Sequence, residues 1–302
     1  MAQQAHRSCL THRFTWVILS GGWLLAGCTG GASTPSSVAE APAGGDPPAA
    51  VVEQGAATEA APAAVVATSG PPTATPTVTA TATPDCPRGE VELIPVEGAV
   101  TSLEDSLRHG DLNPSLRGAE PMDAGLDYVD YDGGSDPNAP QLGLLLGRKP
   151  ALTGVWDVYE WDWTTSPPRR HEQLFREVHG VPWPAVTGLA TTPGEAVRVP
   201  GRKQDIYQGR FHALLVSASE KDLQWVYTRQ DAVGSGYAVW VDGLIVDCNL
   251  LELYRAARQS GEGLPGLAAD QVVGVAAGEE IRVAIRDRGS FMDARSNKDW
   301  WR

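Results

Sequence analysis

The sequence predicts a mainly β fold: a single antiparallel sandwich or barrel-like domain with one or two short helices, preceded by a disordered tether. Two observations predict it. Short apolar or alternating runs, separated by Gly and Pro, recur from about residue 91 onward, which is typical of antiparallel sheets. Before them, residues 29–85 contain no Lys, Arg or aromatic residue, so this segment cannot bury enough apolar surface to offset its chain entropy.

Nine runs have the length and pattern of strands. In residues 237–242 and 280–286, apolar and polar side chains partly alternate, which indicates strands with one buried face and one solvated face. The predicted strands are 91–96, 141–146, 155–161, 196–200, 211–217, 222–228, 237–246, 271–275 and 280–286.

Two helices are predicted. Asn249 begins the clearer one, because the run Asn-Leu-Leu-Glu offers a capping-box arrangement. Leu250, Leu253, Tyr254 and Ala257 then follow at helical spacing. We expect this helix to cover one end of the sheet, and residues 102–109 to form a second short helix.

The amino-terminal region contains Leu25-Ala26-Gly27-Cys28 at the end of an apolar stretch, residues 14–27. Arg7 and Arg13 give it a basic start, and the stretch is too short to span a bilayer stably. This pattern resembles the lipobox of bacterial lipoproteins, which implies that residues 1–27 are a cleaved signal peptide and that Cys28 carries acyl chains such as palmitate. The alternative is an ordinary secretory signal with Cys28 as an incidental thiol.

Two or more acyl chains anchor a protein stably, so the expected location is the extracytoplasmic face of the cell membrane. Residues 28–85 would be the lipidated cysteine and its disordered linker, and residues 86–302 one domain. That domain has 22 Lys plus Arg against 32 Asp plus Glu. This acidic balance argues against nucleic acid and anionic headgroups as partners. The expected partners are the membrane, through the anchor, and a glycan or an envelope protein; no cofactor is expected.

The domain has two cysteines, Cys86 and Cys248. In an exported protein they are candidates for one disulfide. Two unpaired buried thiols are the alternative, and two cysteines with no nearby histidine pattern do not indicate a zinc site.

A Trp-rich run offers the best ligand-binding candidates. In a strand, Trp161 and Trp163 would share one face, with Glu160 and Asp162 on the other. Two ring faces beside carboxylates suit a sugar. The alternative is that the tryptophans fill the core, as large aromatic side chains commonly do.

An acidic, glycine-containing loop carries Asp127, Asp130, Asp132 and Asp136. Carboxylate oxygens of this kind bind calcium, although the spacing fits an EF-hand loop poorly. A solvated turn is the alternative, and we expect no metal site elsewhere.

Three segments resemble a group of exported bacterial proteins with no assigned function. They are residues 280–301, 188–195 and 227–231, the last with Gly236 and Tyr237. The likeness covers roughly residues 155–301 and implies a shared fold without an activity. Four charged residues within it have two alternative roles. They form an ion-pair network that pins Trp300 and Trp301 onto the sheet, or they belong to a binding site. These residues are Asp293, Arg295, Lys298 and Asp299.

Residues 280–287 are also similar to the last strand of lysostaphin-type (M23-like) zinc endopeptidases, which carries a His-x-His motif. Glu280 and Arg282 occupy the two histidine positions, and an arginine cannot ligate zinc because its guanidinium stays protonated. The resemblance therefore implies a metal-free relative that acts as a binding or activator module.

These observations predict a membrane-anchored surface lipoprotein whose domain binds an envelope or extracellular ligand, with peptidoglycan or another glycan favoured, and without catalysis. One alternative is a carboxylate-dependent hydrolase of wall or extracellular polysaccharide, since such enzymes need only two carboxyl groups. A structural or assembly lipoprotein is the other.

Overall fold

The structure is a computed structural model that describes residues 86–302. The expected signal peptide, the acylated Cys28 and the tether lie outside these residues. The described residues belong to one compact unit. None of their helices has the length and apolar character needed to cross a membrane.

Residues 86–302 contain fourteen strands and four α-helices. The helices are α1 (Leu103–Ser106), α2 (Phe175–His179), α3 (Cys248–Ser260) and α4 (Asn297–Trp300). The strands are β1 (Glu92–Ile94), β2 (Ala119–Pro121), β3 (Leu152–Asp162), β4 (Arg169–Leu174), β5 (Val186–Ala190), β6 (Ala196–Arg198), β7 (Phe211–Ala218), β8 (Asp222–Val226), β9 (Tyr237–Asp242), β10 (Leu244–Val246), β11 (Leu264–Ala268), β12 (Val272–Ala276), β13 (Glu280–Asp287) and β14 (Ser290–Met292).

Eleven strands form one large antiparallel sheet. Its main order is β1-β11-β7-β8-β9-β13-β5-β3-β2, with β14 paired to β13 and β4 paired to β3. Strand β13 holds the centre, because it pairs along its length with β9 on one side and with β5 and β14 on the other. Strands β10, β12 and β6 form a second, smaller antiparallel sheet.

The main core lies between the two sheets, because buried side chains from both belong to one packed cluster. Trp225 is its largest fully buried side chain, and the indole N–H donates to the Tyr227 hydroxyl at 3.1 Å. Helix α3 closes the cluster with Leu250 and Tyr254. The mainly β, antiparallel architecture predicted from the sequence is therefore confirmed.

Several element predictions were wrong in detail. Residues 141–146 are not a strand; they contain a short 3-10 helix, Leu142–Leu144, which buries Leu142 and Leu145 on one side. Five strands, β2, β4, β5, β11 and β14, were not predicted, and the described residues have four helices where one or two were expected.

Helix α3 begins before Asn249, the residue predicted to cap it. Its N-cap is Asp247, whose carboxylate accepts a hydrogen bond from the Leu250 backbone N–H at 3.0 Å. Asn249, the predicted cap, accepts instead from Arg88 at 2.8 Å. Gly261 ends the helix in the left-handed conformation at φ +74°, which a glycine adopts without steric cost.

The start of the domain is tied to this helix. Cys86 and Cys248 form a disulfide with their Cα atoms 5.7 Å apart, as the sequence led us to expect. Beside it, Gly89 donates its backbone N–H to Asp247 at 2.5 Å. In the loop-entropy view, a bridge that closes so long a loop stabilises the fold by roughly 5 kcal/mol at most.

A second layer covers the sheet face that points away from the main core. We call residues 109–118 the cover segment. Its Asp111 carboxylate accepts from Arg286 of β13 and from Arg117, both at 2.7 Å, and its backbone carbonyl accepts from Gln224 of β8 at 2.6 Å. Burial opposes the ionisation of Asp111, but Arg286 and Arg117 hold the pKa of that carboxyl below its usual range.

Another buried ion pair joins α3 to the loop after β8. The guanidinium of Arg258 makes a bidentate contact with Asp231, and the two side chains are 0% and 2% exposed. Arg258 also donates to the Thr101 carbonyl, while Asp231 accepts from the Thr101 backbone N–H at 2.8 Å. The pair therefore fixes three separate parts of the chain.

We predict that Asp231→Ala destabilises the domain by about 3–5 kcal/mol, because it leaves a buried guanidinium without a counter-ion. Urea unfolding followed by circular dichroism measures this loss. The matched control is Glu104→Ala, which removes an exposed ion pair with Arg108 and should cost less than about 1 kcal/mol. Equal effects of the two substitutions would show that the Arg258 pair is not important for stability.

Candidate functional site

The structure separates the two tryptophans proposed as a sugar platform. Trp163 lies just beyond β3 and is 47% exposed, whereas Trp161 is 7% exposed. The two rings are tilted by 65° with centroids 6.3 Å apart. Trp161 packs against Gly110 of the cover segment so closely that a Cβ there would lie 2.2 Å from the indole. The expected two-ring platform is not formed, since only Trp163 presents a ring to solvent.

The carboxylates beside these tryptophans are engaged within the domain. Glu160 contacts His179 at 2.6 Å and Arg117 at 3.4 Å, and it accepts from the Trp161 backbone N–H. Asp162 accepts from both the backbone N–H and the hydroxyl of Thr164. Glu160 thus joins β3 to α2 and to the cover segment, and Asp162 stabilises the turn that follows β3.

The aspartates proposed for calcium do not converge. Asp130 accepts from the Lys298 backbone N–H at 3.1 Å, and Asp136 accepts from the Tyr237 hydroxyl at 3.1 Å. Residues 86–302 contain no group of three or more His, Cys, Asp or Glu side chains arranged to hold a metal ion. The described residues therefore give no support to the calcium hypothesis for Asp127, Asp130, Asp132 and Asp136.

Residues 293–302, the C-terminal segment, pack into the main core. Arg295 contacts Asp293 at 2.8 Å, and both side chains are almost fully buried. The indole N–H of Trp300 donates to the Asp293 carbonyl at 2.8 Å, and that of Trp301 donates to the Ala294 carbonyl at 2.7 Å. The predicted pinning of both tryptophans is present, with backbone carbonyls rather than a four-residue ion-pair network as the main partners.

The other two members of that expected network point elsewhere. Lys298 donates its ammonium to the Gly133 carbonyl at 2.7 Å. Asp299 accepts from the Ser296 hydroxyl at 2.5 Å through one oxygen, and its backbone carbonyl accepts from Gln141 at 2.9 Å. These bonds attach the C-terminal segment to two loops.

A cavity of about 230 Å³ opens where this segment meets the loop around Tyr131. We call it the tail pocket. Three aromatic rings form its walls, and polar atoms of two carboxylates and a hydroxyl sit among them. Its lining residues are Tyr131, Trp183, Met292, Asp293, Ser296, Asp299 and Trp300.

Neighbouring elements hold these rings in place. Tyr131 and Trp183 meet edge to face with centroids 6.3 Å apart, and the Trp183 indole N–H donates to the Phe291 carbonyl at 3.0 Å. Tyr131 is 40% exposed, so part of its ring faces the pocket opening. Such rings, already positioned in the unliganded protein, lower the entropy cost of binding.

The two carboxylates that line the tail pocket differ in how many hydrogen bonds they already accept. The Tyr131 hydroxyl donates to Asp293 at 2.5 Å, and burial together with that bond raises the pKa of Tyr131 to about 12. Hydrogen bonding to Asp293 also raises the pKa of Arg295. Arg295 thereby compensates the charge of Asp293, and both carboxylate oxygens accept hydrogen bonds. Asp299 has one oxygen that makes no hydrogen bond within residues 86–302, so it is the pocket's available acceptor.

Sequence reasoning did not find this pocket, although it named three of its residues, Asp293, Asp299 and Trp300, for a different role. Tyr131 and Trp183 lie more than fifty residues apart, and both are far from Trp300. No local spacing links the three rings, because only the fold brings them together.

Comparison with known proteins gives no external assignment: no protein family, no curated protein and no solved structure matches the chain. The function must therefore be argued from the residues themselves.

We predict that Arg295→Met destabilises the domain by about 3–5 kcal/mol, because Asp293 would remain buried without its counter-ion. Thermal and urea unfolding measure this. The control is Arg210→Met, which removes an ion pair of the same 2.8 Å length to Glu92 between half-exposed side chains, and should cost less than about 1 kcal/mol. A loss for Arg295→Met no larger than that of the control would contradict the pinning role.

Proposed function

We propose that this protein is a lipid-anchored, extracytoplasmic protein whose β domain binds an envelope or extracellular glycan, with peptidoglycan favoured, and does so without catalysis. The observation that carries the binding part is the tail pocket. The lipobox-like sequence at Cys28 carries the anchor and the location. Neither part depends on the other, so each has its own test.

The composition of the tail pocket favours a sugar over other small ligands. Ligand pockets combine apolar and aromatic walls with a few polar groups that orient the ligand. The faces of Tyr131 and Trp183 carry partial negative charge, which suits the C–H groups of a sugar ring. The available Asp299 oxygen accepts from a sugar hydroxyl, and the Ser296 hydroxyl oxygen has lone pairs for another.

The charge balance argues against a simple cation as the ligand. Aromatic cages bind quaternary ammonium groups most strongly when the cation is desolvated. In the tail pocket, however, Arg295 compensates Asp293 at 2.8 Å. One carboxylate, that of Asp299, remains, and it lies at the half-buried rim. A ligand with hydroxyl donors and an apolar ring face matches this arrangement better than a compact ammonium does.

The pocket is small for a glycan. Typical ligand sites occupy roughly 300–1,000 Å³, whereas the tail pocket holds about 230 Å³. We infer that it takes one sugar unit of a longer chain, with the neighbouring units outside it. A polymeric ligand then gains affinity from many copies of that unit, as an insoluble wall polysaccharide provides.

The binding prediction is tested by co-sedimentation of the purified protein with insoluble peptidoglycan. The double substitution Tyr131→Ala/Trp183→Ala should weaken the affinity for peptidoglycan at least tenfold. This corresponds to a loss of about 1.4 kcal/mol of binding free energy. Trp163→Ala is the control, since it removes an exposed tryptophan outside the pocket and should leave binding unchanged. Thermal unfolding of each variant shows whether it is folded.

The outcomes of that experiment separate the alternatives. If Trp163→Ala alone abolishes binding, the site is the hairpin after β3 and not the tail pocket. Soluble fragments released into the supernatant would identify a hydrolase and overturn the proposal of binding without catalysis. If the wild-type protein does not pellet, the glycan proposal fails, and an envelope protein or an assembly role becomes the better hypothesis.

The anchor is tested by Cys28→Ala in cells. We expect the wild-type protein in the membrane fraction and the variant in the soluble extracytoplasmic or secreted fraction, because loss of two acyl chains removes stable anchoring. Cys9→Ala is the matched control, as it changes a cysteine ahead of the lipobox-like sequence. A variant at Cys28 that stays membrane-bound would exclude the lipid anchor.

A further inference from the structure

A second cavity, of about 130 Å³, lies on the sheet face beneath the cover segment. We call it the charged cleft. One wall is the cover segment and the residue after it, and the other is formed by β3, β9, β13 and the turn before β8. Its lining residues are Pro114, Ser115, Gly118, Ala119, Val158, Lys221, Trp240, Asp242 and Arg282.

The cleft contains charges of both signs that do not satisfy one another. Asp242 and Arg282 are directly opposite on β9 and β13, where side chains approach closely enough to pair. Arg282 instead donates to Glu280 at 3.0 Å and lies over the Trp156 ring at 4.1 Å. Within residues 86–302, neither Asp242 nor Lys221 forms an ion pair, although both line the same cavity.

On its other side, Asp242 faces a second carboxylate. Asp222 of β8 is its register partner, and like charges directly opposite in a sheet are destabilising. Burial raises the pKa of Asp222, and the Asp242 carboxylate adds to that shift, although Ser219, Ser115 and Lys221 oppose it. Natural sequences break a local rule of this kind mainly at functional sites.

Two buried polar atoms on the strands beside the cleft also lack partners. The indole N–H of Trp240 is buried and makes no hydrogen bond within the described residues, and the same holds for one oxygen of Asp222. Trp240 lines the cleft and is 7% exposed. A buried donor without an acceptor typically costs about 1–3 kcal/mol, so this part of β9 is locally destabilised.

We propose that the charged cleft binds a small zwitterion: an α-amino acid, or the α-amino-acid end of a larger molecule. The ligand carboxylate accepts from Lys221 and Arg282, and the ligand ammonium donates to Asp242. The volume of the cleft suits a ligand of this size. A cavity of roughly 150 Å³ holds benzene, which has six non-hydrogen atoms, and alanine also has six. This inference goes beyond the glycan proposal and does not rest on it.

The test is isothermal titration of the full chain, purified in detergent, with L-alanine and D-alanine. Acetate and ethylammonium serve as half-ligands that carry one charge each. We expect at least one alanine enantiomer to bind, and each half-ligand to bind at least about tenfold more weakly. Acetate that binds as tightly as alanine would reveal a simple anion site and overturn the proposal, as would no alanine binding up to about 10 mM.

Two substitutions locate the binding. Asp242→Asn and Lys221→Met should each weaken alanine binding by at least about tenfold, since each removes a charge-assisted contact. Lys203→Met is the control, because Lys203 is exposed and outside the cleft. Asp242→Asn also removes the repulsion with Asp222, so we expect a folded variant. Unchanged alanine binding in both cleft variants would place the ligand elsewhere and refute the assignment.

Discussion

The buried bridge of Arg286, Asp111 and Arg117 is the interaction on which the rest of the structure depends. It joins the central strand of the large sheet to the cover segment with two contacts of 2.7 Å to one carboxylate. Removing either guanidinium would leave charge buried without full compensation, which is far more costly than losing an exposed pair. The cover segment is therefore held firmly over a sheet face that would otherwise be solvated.

That cover determines which residues a ligand can reach. Gly110 fits closely against Trp161 and buries it. Trp163, just past the end of β3, stays exposed, and its ring is tilted by 59° against that of His109 with centroids 4.7 Å apart. The same segment supplies Pro114 and Ser115 to the charged cleft. One structural element thus hides an aromatic that the sequence suggested as a binding residue and builds the wall of a cavity that the sequence did not suggest.

An element could be predicted when the sequence pattern that marks it lies within the element itself. Strands β9 and β13 were predicted because alternation along one strand reflects its two faces. Strand β11, Leu264–Ala268, contains Pro265 and Gly266, residues that normally argue against a strand, and it was missed. The run 141–146, which contains Leu142 and Leu145, was predicted as a strand, because a short apolar run does not distinguish a strand from a helical turn. Neither pocket could be predicted from the sequence, because the residues that line it are brought together only by the sheet register and the loops.

The C-terminal segment shows that pinning and binding are compatible. The sequence offered them as alternatives for the same residues. In the structure, Trp300 uses its indole N–H to bond the Asp293 carbonyl at 2.8 Å and still lines the tail pocket. A ring held from one edge keeps a fixed orientation, and binding groups work best when supporting bonds lock them. The bonds that fasten the segment to the core therefore also preorganise the pocket, so a structural anchor of the domain and its best ligand-binding candidate share the same residues.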